Sequence, residues 1–140
     1  MKSTLHKLGR KLGRRAHERF TIPGASVSWV KDDPGPFPGD PLPLSDISKI
    51  GLAFLTNHPA DEGAEVFLRV HFPKPPEFLE LRGIVRYSIP RGPGLTYEYR
   101  IGIEFKPFSG EAGCNPPDAI GRILELEQMY GKHLDLLEEN

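Results

Sequence analysis

The sequence predicts a mainly β fold, an antiparallel barrel or sandwich, on three observations. Apolar and polar residues alternate over several runs of strand length. Short turn signals rich in Pro and Gly separate those runs. One apolar stripe at helical spacing is confined to the C-terminal end.

A chain of 140 residues suits one domain and can bury a core without disulfides or metal. Gly and Pro, 15 of each, fall between the apolar runs and read as loop punctuation. The first segment, about residues 1–19, is a basic arm with leucines at Leu5, Leu8 and Leu12, a helical spacing weakened by Gly9 and Gly13. It is expected to be mobile. A first strand follows around Ala25–Val30, with Ala25, Val27 and Trp29 on one face. Asp32–Pro43 reads as a Pro/Gly loop, because prolines at this density cannot supply ladder donors. Then come strand-like runs at Ile50–Thr56, Val66–Phe72, Phe78–Ile89 and Leu95–Phe105. Inward positions are expected at Val66, Leu68, Val70 and Phe72, at Leu79, Leu81, Val85, Tyr87 and Ile89, and at Tyr97, Tyr99, Ile101, Ile103 and Phe105. His71 falls on the outward phase and is expected to be solvated. After a turn-rich stretch, Pro117 opens a helix whose stripe is Ile120, Ile123, Leu126, Tyr130, Leu134 and Leu137. Packing on the β domain is the expected use of that stripe, with a partner or dimer interface as the alternative.

Net charge is −1, but its distribution is uneven. Residues 1–19 hold seven Lys or Arg against Glu18, and residues 111–140 hold seven acids against Arg122 and Lys132. One end should attract anions and the other repel them. Cys114, the single cysteine, excludes an internal disulfide framework. No apolar run approaches the roughly 18–20 residues of a membrane span, and the basic start lacks the apolar core of a secretory signal. A cytoplasmic location is the expectation.

The chemistry concentrates in two short sets. Arg15 and Arg19 form an Arg-x-x-x-Arg pair, and Asp46, Ser48 and Gly51 form Asp-x-Ser-x-x-Gly. Arginine forks bind phosphates and the O6/N7 edge of guanine. A carboxylate can accept from guanine N1–H and N2–H groups. A serine hydroxyl adds an adaptable partner, and a glycine lets a ligand approach the backbone. Together they suit a small anionic guanine nucleotide.

In this order, before alternating strands, the two sets resemble the PilZ family of bacterial cyclic di-GMP receptors, over about Arg14–Phe108. The Tyr99–Phe105 strand is similar to the family's late strand. The resemblance implies a six-stranded antiparallel barrel (14–108), a basic N-terminal arm (1–13), and a loop with a C-terminal helix (109–140). It also implies the roles. Arg15 and Arg19 would hold phosphates and guanine edges, Asp46 would accept from a guanine edge, Ser48 would bond base or phosphate, and Gly51 would keep the approach open. Arg14 before the pair implies an intercalated pair of cyclic di-GMP molecules rather than a single one. The Pro-rich loop before Asp46 looks longer than the family's usual one.

A ligand with two phosphates would neutralise Arg14, Arg15 and Arg19 and draw the arm onto the barrel, a coupled ordering step. With no attached effector, the response would pass to another protein in trans, in motility, biofilm or exopolysaccharide control. The alternative is a PilZ-like interaction adaptor that works without nucleotide. A weaker third reading, an arm for nucleic acid or anionic lipid, predicts steep salt dependence and no guanine preference. His6, His17, His58, His71 and His133 share no ligand spacing with Cys114, so neither metal nor cofactor is expected. No acid–base pair, activated nucleophile or phosphate-binding Gly-rich loop stands out, and an enzyme is not expected.

Overall fold

The structure is a computed structural model describing residues 19–31, 36–37, 39–75 and 77–131. Six strands are present: β1 (Ser26–Lys31), β2 (Leu42–Ile47), β3 (Gly51–Thr56), β4 (Glu65–His71), β5 (Phe78–Pro90) and β6 (Tyr99–Phe105). They close into an antiparallel barrel in the order β1-β2-β3-β6-β5-β4, with β4 returning to β1. Helix α1 (Pro117–Leu126) follows and runs into a π-helical turn, Glu127–Gly131. Leu134 and Leu137, the end of the expected stripe, lie outside the described residues, as does the arm before Arg19. Among the described residues no helix is long and apolar enough to cross a membrane.

Alternation fills the interior. Val27, Phe54, Leu68, Val70 and Ile101 are fully buried, with Val66, Leu81 and Val85 nearly so. Ala119, Ile123 and Leu126 on one face of α1 join the same apolar cluster, so the helix covers the barrel rather than standing off it. Ahead of β1, Phe20 is buried and bridges Ile47, each N–H donating to the other's carbonyl at 2.9 Å.

Three expectations change. Leu42 and Pro43 belong to β2, not to the loop. Proline is tolerated there because β1 and β2 share only a short ladder, Ser26 opposite Pro43 and Val27 opposite Leu42. Tyr87 and Ile89 leave the inward phase, because the β5–β6 register shifts between Val85 and Tyr87. The extra residue, Arg86, turns the strand beyond it over, and Ile89 ends 51% exposed. Strand β6 begins at Tyr99, leaving Leu95 and Tyr97 in the turn. Between β1 and β2, Phe37 lies 4.9 Å from the Arg69 guanidinium, which Phe78 also contacts at 5.0 Å.

His71 is not simply solvated. It points outward on β4 but is half-buried, and its Nε2 lies 3.2 Å from Ser28 Oγ. Burial, and then the Arg69 cation, push its pKa below the ordinary 6.5. The fold therefore favours the neutral ring. Stability is retained above the unfolded value near 6.5 and declines as pH falls through it toward the lower folded pKa. Chemical denaturation between pH 7 and 5 is expected to show this decline, and His71→Gln is expected to flatten it.

Candidate functional site

The β2–β3 hairpin and the outer faces of β5 and β6 form one cleft, lined by Arg19, Asp46, Ser48, Gly51, Arg86, Tyr87 and Glu104 among others. A lateral register row explains its shape. Asp46 pairs with Ala53, Ala53 with Gly102, and Gly102 with Tyr87. Two small residues sit between two long ones, so Asp46 and Tyr87 rise from a low floor. Both outer residues owe their direction to a register shift. One falls between Leu44 and Asp46, the other between Val85 and Tyr87. Without the first, Asp46 would share the core-facing side of Leu44. Bulges commonly re-aim side chains in this way beside functional sites.

Asp46 is held from the strand opposite. Arg100 Nη2 donates to its Oδ2 at 2.7 Å, Nη1 donates to Ser45 Oγ, and Nε donates to the Tyr87 hydroxyl at 3.2 Å. Burial works against the Arg100 cation, but the bonds to Asp46 and Tyr87 outweigh it and raise its pKa above the ordinary arginine value. Arg19 stands further away, its Nη1 4.0 Å from Asp46 Oδ1, with a side chain 60% exposed. Asp46 Oδ1 therefore remains free of any close donor among the described residues. Arg86 and Glu104 form a second ion pair at the edge, at 2.6 Å. Ile50, 47% exposed, adds an apolar rim.

Ser48 and Gly51 have local duties. Ser48 is buried, its N–H donates to the Gly51 carbonyl at 2.8 Å, and its hydroxyl accepts from the Ile50 N–H at 3.2 Å. The hydroxyl thus closes the β2–β3 turn. At Gly51 a Cβ would stand 2.1 Å from the Ile103 carbonyl oxygen, so the glycine lets β6 pass close to β3. Of the six residues expected in the site, Arg19, Asp46, Ser48 and Gly51 line the same cleft, and Arg14 and Arg15 lie outside the described residues. Sequence reading missed Tyr87 and Arg100. One signal was present: a glycine inside a strand marks close approach of another group, and a Cβ on Gly102 would fall 2.0 Å from the Tyr87 ring.

The PilZ domain family matches residues 13–124, most of the chain and all of this cleft. The chain belongs to the PilZ family. Solved PilZ structures share its fold. The PilZ domain of YcgR from Escherichia coli with cyclic di-GMP is 16% identical at a TM-score of 0.61, covering 91% of this chain and 98% of that one. YcgR in complex with cyclic di-GMP is 15% identical at 0.62, and the MrkH–cyclic di-GMP complex of K. pneumonia is 19% identical at 0.56. Each of these two aligns over 90% of this chain, which spans 49% and 53% of theirs, about half their length. No protein of curated function matches by sequence. The Asp-x-Ser-x-x-Gly set lies on the β2–β3 hairpin within the matched region, with Asp46 near the end of β2 and Gly51 opening β3.

Proposed function

We propose that this PilZ chain is a cyclic di-GMP receptor. The observation that carries the reading is the convergence of Arg19, Asp46, Ser48 and Gly51, from two separate sequence sets, on one cleft. Family membership and PilZ structures solved with cyclic di-GMP support it.

In this reading Asp46 Oδ1 accepts from a guanine N–H edge. Ser48 holds the turn that presents Asp46 and can turn its hydroxyl to base or phosphate. Arg19, joined by Arg15 and Arg14, takes phosphates and the guanine O6/N7 edge. Arg14 extends the cationic set to suit an intercalated ligand pair. Neutralising these arginines draws the N-terminal arm onto the barrel, and a partner protein in trans reads the new surface, in motility, biofilm or polymer-export control. The chain acts as a receptor and not as a catalyst, in the cytoplasm.

Calorimetric titration with cyclic di-GMP tests this directly. Arg19→Ala is expected to weaken binding by roughly tenfold to over a hundredfold, since one charge-assisted contact contributes about 1.5–3 kcal/mol. Melting of the ligand-free protein should hardly change, because Arg19 is exposed and 4.0 Å from its nearest acid. A ligand-to-protein ratio near two supports the intercalated pair. Wild-type protein that shows no saturable binding would favour the nucleotide-independent adaptor and sink the receptor reading.

A further inference from the structure

We infer that Arg100 is a positioning residue for guanine selectivity: it holds Asp46 away from Arg19 and so keeps both available to the nucleotide. The inference rests on the cyclic di-GMP reading of the cleft. Asp46 has two cations within reach, and they are not equivalent. Arg100 makes a 2.7 Å hydrogen bond to Oδ2, whereas Arg19 stays 4.0 Å from Oδ1. The Arg100 side chain is 29% exposed and Arg19's is 60% exposed. Arg100 is further fixed by bonds to Ser45 on β2 and Tyr87 on β5. Strand β6 thus braces the carboxylate through Oδ2, while Oδ1 lies on the side of Arg19.

Without Arg100, nothing among these contacts holds Asp46 apart from Arg19. Rotation of the carboxylate would close the 4.0 Å gap to a direct ion pair. Base acceptor and phosphate donor would then satisfy each other instead of the ligand. The effect should depend on the base. Guanine offers the carboxylate N1–H and N2–H donors. Adenine in the same pose places a bare N1 acceptor and a C2–H there, its N6 donor lying on the far side where guanine has O6, and so gains little from an oriented Asp46. Phosphate contacts are common to both nucleotides.

The test compares cyclic di-GMP and cyclic di-AMP binding to the full chain as wild type, Arg100→Met and Arg100→Lys. Arg100→Met is expected to lose about tenfold or more in affinity for cyclic di-GMP. Its binding of cyclic di-AMP, measured at high ligand, should lose only the share carried by Arg19's phosphate contact, whereas cyclic di-GMP loses that and the Asp46 contact, so the selectivity ratio falls. Arg100→Lys, which can still reach Asp46, should recover part of the ratio. Equal losses for both nucleotides, or an unchanged ratio, would overturn the inference. A second readout needs no ligand. A double-mutant cycle between Arg19 and Asp46, read by urea denaturation, should show little coupling in the wild type and a clear rise in the Arg100→Met background. Absence of that rise overturns the positioning role. If the wild type binds no cyclic di-GMP, the receptor reading fails by itself, while the cycle still decides whether Arg100 separates the pair.

Discussion

Gly51→Ala is expected to destabilise the ligand-free barrel by about 3 kcal/mol, the upper end for overpacking a tight site. A Cβ at this position would lie 2.1 Å from the Ile103 carbonyl oxygen and 3.2 Å from its carbon. The obstacle is backbone, and it cannot turn aside as a side chain would. Gly51 pairs with Glu104 and Leu52 with Ile103, so moving Ile103 means opening the β3–β6 ladder. The Ser48 turn would be strained as well, since its N–H bonds to the Gly51 carbonyl. Thermal denaturation without ligand should show a midpoint lowered by roughly 10 °C. Gly51 could instead serve only to admit a nucleotide. The substitution would then leave the melt unchanged and reduce affinity alone, and that result would refute the steric account. Gly102→Ala makes a useful contrast. There the clash is with the Tyr87 ring, a side chain that can move, at the expense of its bond to Arg100.

Asn115→Ala should cost about 3–4 kcal/mol. Asn115 is fully buried, and its side chain continues the sheet where β6 stops. Oδ1 accepts from the Arg82 N–H at 2.7 Å, while Nδ2 donates to the carbonyls of Arg82 at 3.0 Å and Lys106 at 2.9 Å. Each bond contributes about 1 kcal/mol net, and truncation also strands a part-buried backbone donor. Its own N–H bonds the Pro107 carbonyl at 2.8 Å, so the residue ties the segment leading into α1 to the end of the barrel. Urea denaturation should show the loss as a lower midpoint. Cys114→Ala next door, at a half-buried thiol, should stay close to wild type. Equal stability of Asn115→Ala and wild type would mean that α1 holds to the barrel by its apolar face alone.

Much of this was legible in the chain. β4 alternates without interruption, and its inward set was read correctly down to Phe72. The inward positions of β6 held from Ile101 to Phe105 for the same reason. What escaped was the pair of register shifts. Period-two reading carries no information about an inserted residue, so it puts Tyr87 and Ile89 inward; the start of β2 is hidden for another reason, the proline density up to Pro43. The site shows the same division. Arg19, Asp46, Ser48 and Gly51 sit in recognisable local spacings. Arg100 reaches Asp46 only through the folded register, 54 positions away along the chain, and Tyr87 joins it there by its bond to Arg100. Asn115 was passed over because nothing near it in sequence marks a buried amide.

The Phe20 bridge bears on how a ligand is caught. Because Phe20 is locked to Ile47, Arg15 begins only five residues from a fixed point. An extended chain spans at most roughly 3.5 Å per residue, so Arg15 stays within about 18 Å of that anchor. On the proposed receptor reading, a nucleotide seated against Asp46 would therefore meet the remaining arginines as a tethered reactant, at an effective concentration on the order of millimolar. Cutting the chain between Arg15 and Arg19 would turn that second capture into a bimolecular event. Release of the nucleotide would then quicken even with every arginine still present in solution.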